Sequence, residues 1–285
     1  MRLISSIPRL RRWIAQTRRA GKKIGFVPTM GALHEGHLSL IRRARQAVGP
    51  RGAVVVSLFV NPTQFNQKSD FNRYPHRLAM DAAMCRKAGV NLIFSPTAAA
   101  MYPPDFSTWI EEKSLSLPLC GASRPGHFRG VCTVVMKLFN LVQPNVAVFG
   151  QKDAQQAMVI RRMVQDLNCP VQVMIAPTVR ESDGLAMSSR NQRLNAVERK
   201  LARALNEALR LARSAFQKGC RNATKLRLLA RRHLRSVPSL RLDYLELVNG
   251  SILRPVRRSE DAKKGDLLAV AAFVGKTRLI DNVRL

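Results

Sequence analysis

The hydrophobic pattern of this 285-residue chain predicts an α/β fold: a doubly wound parallel sheet with a smaller α+β C-terminal domain. Three observations predict it. Short apolar runs alternate with helical stripes through the first half. Residues 53–60 (Ala-Val-Val-Val-Ser-Leu-Phe-Val) form a continuous β-branched run, as a strand buried on both faces requires. After about Thr178 the pattern changes to long helical stripes followed by separate strand candidates.

Taken in order, Ile4, Ile7, Leu10 and Ile14 recur at helical spacing and predict an amphipathic helix within residues 1–20. Ile24-Gly25-Phe26-Val27 predicts a strand, and an amphipathic stretch starts at Leu38. Residues 53–60 are the next strand, 78–87 a helix, and 90–94 a short buried strand closed by Ser95-Pro96. Lys137 falls in a further helix. Val146-Ala147-Val148-Phe149 is a strand, followed by a helix over 153–167 whose Val159/Ile160, Met163/Val164 and Leu167 share one stripe. Residues 171–176 are another strand. This βαβα order gives a parallel, Rossmann-like sheet. Beyond it, Leu194, Val197, Leu201, Leu205, Leu209, Ala212 and Phe216 form one long helical stripe ending near Lys218-Gly219. A helix over 223–234, strands over 242–248 and 267–274, and the ending Arg278-Leu279-Ile280-Asp281-Asn282 follow. The expected domains are residues 1–178 and 179–285.

Composition narrows the function classes. With 46% hydrophobic residues the chain can bury a sizeable core. No stretch approaches the ~20 apolar residues of a membrane span, and the Arg-rich N-terminus lacks an apolar signal-peptide core. Five scattered cysteines, an odd number among apolar neighbours, suit buried thiols in a reducing cytoplasm. The net charge is +30, from 48 basic and 18 acidic residues. Such a surface attracts nucleic acid non-specifically. The charges are spread along many segments, however, and aromatics are only 6% with no stacking platform, which favours an ordinary enzyme with a basic surface.

The most informative segment is Pro28-Thr29-Met30-Gly31-Ala32-Leu33-His34-Glu35-Gly36-His37, at a strand-to-helix turn. A helix N-terminus carries unpaired N–H groups and partial positive charge, so it suits phosphate. His34 and His37 are three apart and share a face if the helix begins near His34. Half of a zinc site and a pair of structural histidines are also compatible with the pair, although the cysteines offer no companion ligand motif.

Five further clusters accompany it. Asn61-Pro62-Thr63-Gln64-Phe65-Asn66 follows a strand, where open parallel sheets bind ligands, so Asn61 and Gln64 can hold a small polar substrate; an Asn-Pro turn is the simpler reading. Phe149-Gly150-Gln151-Lys152-Asp153-Ala154-Gln155-Gln156 repeats strand, glycine, helix. In it Lys152 can neutralise phosphate or carboxylate, and Asp153 can hold ribose hydroxyls or a metal-bound water. Helical spacing would place Lys152, Asp153 and Gln156 together. In residues 180–191, Ser188, Ser189 and Arg190 suit a polyphosphate, or make a polar hinge. Pro125-Gly126-His127-Phe128-Arg129-Gly130 is a turn. Tyr74-Pro75 and Asp81 flank a helix start, with Asp81 read as its N-terminal charge.

In order and at this spacing, the strings PTMGALHEGHLSLI, FVNPTQF, YP, PGHF, FG-KD-QQ, DGLAMSSRN and RLIDN resemble the pantothenate synthetase (pantoate–β-alanine ligase) family, from about residue 24 to the end. That family belongs to the HxGH nucleotidyltransferases. The resemblance implies ATP-dependent condensation of pantoate with β-alanine through a pantoyl adenylate, releasing pyrophosphate and AMP. It implies that His34 and His37 contact ATP phosphates, with His37 stabilising the pentacovalent α-phosphate. Pro28 and Met30 line the pocket around ATP and pantoate; Gln64 and Gln156 hold pantoate, the substrate that the strand-end reading also gives to Asn61. Gly150 and Asp153 position the ribose, Lys152 neutralises phosphates, Ser188, Ser189 and Arg190 close on the β- and γ-phosphates, and Val179 and Met187 pack near adenine. Mg²⁺ is expected to enter through ATP oxygens, with no metal site on the protein. A homodimer and a C-terminal lid are expected; a membrane or specific nucleic-acid partner is not. His76, Met80, Asn91 and Asn145 depart from the family pattern. The alternatives are another HxGH nucleotidyltransferase, or a basic nucleic-acid-binding protein on this scaffold.

Overall fold

A computed structural model describes residues 1–66, 68–257 and 260–285. The elements in chain order are β1 (Arg2–Ile4), α1 (Ile7–Arg19), β2 (Ile24–Thr29), α2 (Glu35–Val48), β3 (Ala53–Leu58), α3 (Lys68–Asn72), α4 (Leu78–Lys87), β4 (Leu92–Phe94), α5 (Ala98–Met101), α6 (Cys120–Ser123), α7 (His127–Val142), β5 (Val146–Gly150), α8 (Ala154–Asp166), β6 (Gln172–Ala176), α9 (Ala196–Ala202), α10 (Ala204–Gln217), α11 (Ala223–Arg235), β7 (Leu240–Val248), β8 (Leu267–Val274) and β9 (Thr277–Arg284). The chain divides into two units. The first holds Met1–Ser116, Arg124–Gly150 and Gln156–Pro177; the second holds Leu117–Ser123, Gln151–Gln155 and Thr178–Leu285.

The first unit is built on a six-stranded sheet, order β1-β4-β3-β2-β5-β6, in which every pairing is parallel. The α/β doubly wound class is therefore the observed one. Strand order reverses at β2, so the carboxyl ends of β2, β3 and β5 border the switch point where such sheets bind ligands. Continuous apolar runs make these strands: Val27, Val54, Val56, Ile93 and Val148 are all buried, and Ile41 and Ala44 of α2 pack on them. Gly25 lets α2 approach closely, since a Cβ there would lie 3.0 Å from the Ala44 carbonyl oxygen.

Two details differ from expectation here. Ile4 is not on the first helix; it is the buried end of edge strand β1, paired with Phe94, and α1 starts later because Ser6 is extended and Pro8 occupies its first turn. The strand expected over 90–94 is Leu92–Phe94, because the Val90 N–H is used to close α4 on the Cys85 carbonyl.

The second unit carries an antiparallel sheet, order β7-β8-β9, against which α10 and α11 pack. Its core includes Leu205, Leu209, Phe216, Leu226, Leu247, Leu268 and Val270. The stripe expected as one helix over 194–216 is broken at Arg203 into α9 and α10, and a 3-10 turn at Ser189–Arg193 precedes it. Asn195 starts α9 with a reciprocal cap: it accepts the Glu198 N–H, and the Glu198 carboxylate accepts the Asn195 N–H. Val197 lies off the core, 67% exposed, as does Leu167 beyond the end of α8 in the first unit, 50% exposed. Among the described residues no helix is long and apolar enough to cross a membrane.

Candidate active site

Between β2 and α2, Gly31 and Ala32 both take left-handed backbone angles, φ 85° and 52°. Thr29 Oγ1 accepts the Gly31 N–H at 3.1 Å and donates to the Ser57 carbonyl at 2.8 Å, tying the turn to β3. His34 is the N-cap residue of α2 and His37 lies in its first turn. Their ring centroids are 4.1 Å apart. The His34 backbone N–H donates to His37 Nδ1 at 3.3 Å. An Nδ1 that accepts leaves the neutral ring's proton on Nε2, which makes Nε2 a donor. Asp81 has a larger part than a charge at a helix start. It is 2% exposed, and its carboxylate accepts the Ala32 N–H at 2.9 Å and the Leu33 N–H at 2.8 Å.

After β3, Pro62–Gln64 forms a 3-10 turn. Asn61 is 1% exposed. Its amide donates to the Gly130 carbonyl at 3.1 Å and to Gln64 Oε1 at 3.2 Å, and its oxygen accepts from the Tyr102 hydroxyl at 2.9 Å and Thr63 Oγ1 at 3.0 Å. Both donors and both acceptor positions are thus used. Asn61 is thereby tied to Gln64, Gly130, Tyr102 and Thr63, and it orients the Gln64 side chain. Gln64 Nε2 lies 2.9 Å from Met30 Sδ. The Gln64 carbonyl accepts from His127 Nδ1 at 2.8 Å and from Arg124 at 3.0 Å. This explains the PGHFRG string. Gly130 is also required, since a Cβ would lie 2.5 Å from the Thr63 carbonyl oxygen. Burial pushes the Tyr102 hydroxyl above its ordinary pKa, and Thr63 and Asn61 oppose that only partly. Lys137 sits 4.4 Å from the Phe106 ring centroid, and burial lowers its pKa.

Within the second unit, Lys152 and Asp153 lie in a 3-10 turn, Gln151–Asp153, with Lys152 Nζ 3.8 Å from Asp153 Oδ1. They precede α8 instead of lying on it, so the helical spacing expected between them and Gln156 does not apply. Asn282 of β9 holds this turn. Its Nδ2 donates to the Gln151 and Lys152 carbonyls, both at 2.9 Å, and its Oδ1 accepts from Gln151 Nε2 at 2.9 Å. The neighbouring Asp281 grips Arg180 with both carboxylate oxygens. Arg180 in turn starts the loop that bears Met187, Ser188, Ser189 and Arg190, with Val179 just before it. That loop is closed on itself: Met187 N–H donates to the Val179 carbonyl at 3.0 Å, and Asn191 Nδ2 donates to Glu181 Oε1 at 2.6 Å and the Ala186 carbonyl at 3.0 Å. Ser188 Oγ accepts the Arg190 N–H at 3.2 Å and caps the following 3-10 turn. Arg199 bonds Glu181 and Asp183. Burial works to raise the Asp183 carboxyl, but the Leu185 N–H and Arg199 outweigh it and hold the pKa low.

Pro28, Met30, Gln64 and Gln156 of the first unit are half-buried, as are Val179, Met187, Ser188, Ser189 and Arg190 of the second. Among the described residues no group of three His, Cys, Asp or Glu side chains could hold a metal ion. Two of the positions expected to depart from the family pattern, Asn91 and Asn145, bond to neighbouring strands. Asn91 Oδ1 accepts the Val54 N–H at 2.7 Å, and Asn145 Oδ1 accepts the Ile24 N–H at 2.7 Å. An amide oxygen serves there as a carboxylate would. Met80 is exposed, as is His76.

A family profile described as Pantoate-beta-alanine ligase matches residues 2–284. The chain is 52% identical over 285 residues to a protein of Thermotoga neapolitana named Pantothenate synthetase, covering 100% of both. It is 53% identical over 285 residues to Pantothenate synthetase 1 of Bradyrhizobium diazoefficiens, covering 100% of this chain and 98% of the other. Its structure is similar to the crystal structure of pantothenate synthetase from Thermus thermophilus, with TM-score 0.93, 44% identity and coverage of 100% and 99%. It is also similar to pantoate-beta-alanine ligase from Francisella tularensis complexed with beta-gamma ATP and beta-alanine, with TM-score 0.81, 34% identity and coverage of 100% and 97%.

Proposed function

We propose a reaction from one premise: the chain belongs to the pantoate–β-alanine ligase family. It condenses pantoate with β-alanine at the expense of ATP. A pantoate carboxylate oxygen attacks the α-phosphorus, the bond to pyrophosphate breaks, and pantoyl adenylate forms. The β-alanine amine then attacks the acyl carbon, AMP leaves, and the amine proton passes to solvent. No protein nucleophile is needed. The first barrier is charge repulsion and alignment, which fixed donors and cations lower.

The observation that best supports this reading is the histidine pair. With His37 Nδ1 occupied by the His34 N–H, its Nε2–H is the donor for the α-phosphate as negative charge builds there. His34 contacts the phosphates beside it. Gln64, held by Asn61, and Gln156 bind pantoate, and Met30 and Pro28 line the same pocket. Lys152 and the Ser188, Ser189, Arg190 group neutralise the polyphosphate, Gly150 and Asp153 position the ribose, and Val179 and Met187 pack near adenine. ATP arrives as its Mg²⁺ complex, with the ion on phosphate oxygens. Residues 179–285 serve as a lid that keeps water from the adenylate. A homodimer and a cytoplasmic location complete the proposal; the location is supported by five free cysteines.

The test is AMP release with each substrate omitted in turn. AMP release requires ATP, pantoate and β-alanine together, whereas pyrophosphate formation requires only ATP and pantoate. A dinucleotide-type product in place of AMP would instead identify another HxGH nucleotidyltransferase. RNA binding at physiological salt without pantoate-dependent AMP release would identify a nucleic-acid-binding protein.

A further inference from the structure

We infer that Asp81 is a positioning residue for the reaction: its buried carboxylate holds the Gly31–Ala32–Leu33 turn in the shape that presents His34 and His37. The inference rests on the reading that those histidines act on ATP phosphates. Ala32 is the telling residue. A side chain with a Cβ disfavours left-handed backbone, yet Ala32 has φ 52° directly after Gly31 at φ 85°. Something must hold it there. The Ala32 and Leu33 N–H groups are withdrawn from water, both residues being buried, and each donates to a different oxygen of Asp81. Two consecutive N–H groups on one carboxylate form a charge-assisted, two-point clamp.

The surroundings keep that carboxylate in place. Asp81 comes from α4, so the turn is fastened to a different helix from the one it leads into. Tyr74, also buried, directs its hydroxyl at the Gly31 carbonyl, at 3.5 Å. Cys85, one turn further along α4, is buried, and its thiol is pushed up to about 12 by that burial and then by the Asp81 charge. It stays protonated and adds no second negative charge. Space is equally restricted. A Cβ on Gly31 would lie 2.9 Å from Asp81 Oδ2, so the carboxylate packs directly against the glycine.

Asp81→Asn keeps the shape and replaces one acceptor oxygen by an NH₂ group, which faces an N–H. Two readouts are needed. In hydrogen exchange followed by mass spectrometry, the segment over residues 30–38 should exchange at least about tenfold faster, while residues 53–58 of β3 keep their protection. In steady-state assays kcat for AMP release should fall at least about tenfold, with the KM for ATP changed less than about threefold. Gly31→Ala should give the same pattern, and the double variant should be no worse than the poorer single one. It also serves if Asp81→Asn does not fold. Full kcat in either variant despite a loosened loop would overturn the inference, and so would unchanged exchange at 30–38. Uniform loss of protection with unchanged kcat per folded molecule would show a purely structural role and overturn it as well. A wild-type chain that released no pantoate-dependent AMP would remove the reading of the reaction, whereas the exchange result would still decide whether Asp81 holds the turn.

Discussion

Arg180 and Asp281 meet in a two-point ion pair, with Nη1 2.6 Å from Oδ2 and Nη2 3.0 Å from Oδ1. The Asp281 side chain is almost wholly buried, at 3% exposure, while Arg180 remains 27% exposed. Removing one partner of such a pair strands the other. Asp281→Ala should therefore cost about 3 kcal/mol, the lower end of the range for buried pairs because Arg180 can reach water. Urea unfolding would read the loss. Activity should fall with it, because Arg180 begins the loop that carries Ser188–Arg190.

The adjacent Asn282 makes a sharper prediction. Its amide group supplies the donors for the Gln151 and Lys152 carbonyls. Asn282→Ala leaves them without that donor and should raise the KM for ATP several-fold through Lys152. Asn282→Asp is nearly the same size but turns an acceptor toward two carbonyls. It should be worse than alanine in both kcat and KM, by about tenfold or more. Kinetics with ATP varied would show whether the order is reversed.

His37 should act on the transition state more than on binding. His37→Ala is expected to lower kcat by about 10²–10³, as removing one oxyanion donor does, with the ATP KM little changed. Pyrophosphate exchange into ATP should need pantoate but not β-alanine, and should fall in parallel in the variant. A rise in KM alone would contradict the assignment.

Two buried thiols set an alkaline limit on stability. Burial, and then the Asp81 charge, raises Cys85 from 9.0 to about 12; burial, and then Glu112, does the same to Cys132. The folded state thus holds these protons more tightly than the unfolded chain. Their stabilising contribution is complete below pH 9 and is lost as pH rises toward 12, at up to about 1.4 kcal/mol per pH unit for each thiol. Melting temperatures measured across pH 8–11 should fall accordingly. Cys85→Ser and Cys132→Ser should flatten the fall, whatever they do at neutral pH.

Much of this molecule can be read from residue order, and what cannot has a common cause. Period and β-branching revealed β3, β5 and β8, since burial on a regular lattice imposes a regular pattern. His34, Gln64, Lys152 and Ser188 stood out as candidates because polar residues at loop positions beside strand ends suit ligand chemistry. The bonds of Asn61 to Gly130, Tyr102, Thr63 and Gln64 were not legible, because an amide looks alike in sequence whatever its partners are. Asp81 and Asn282 act on backbone groups 48 and more residues away. Such partners leave no trace in local spacing. The RLIDN string was a signal for Asn282, but one without a stated cause until its acceptors were located.

Asn282 lies 131 residues after Gln151, and Asp281 lies 101 after Arg180. The turn bearing Lys152 and the loop begun by Arg180 therefore remain untethered while the ribosome is still adding residues 181–280. All six strands of the parallel sheet have been made by then, since β6 ends at Ala176. Tethering of this turn and this loop must therefore wait for the last five residues of the chain, however early the sheet itself forms. A chain stalled before residue 281 would carry the whole parallel sheet and neither tether, so such a nascent product could be folded in its first unit with the Lys152 turn and the Arg180 loop still unheld.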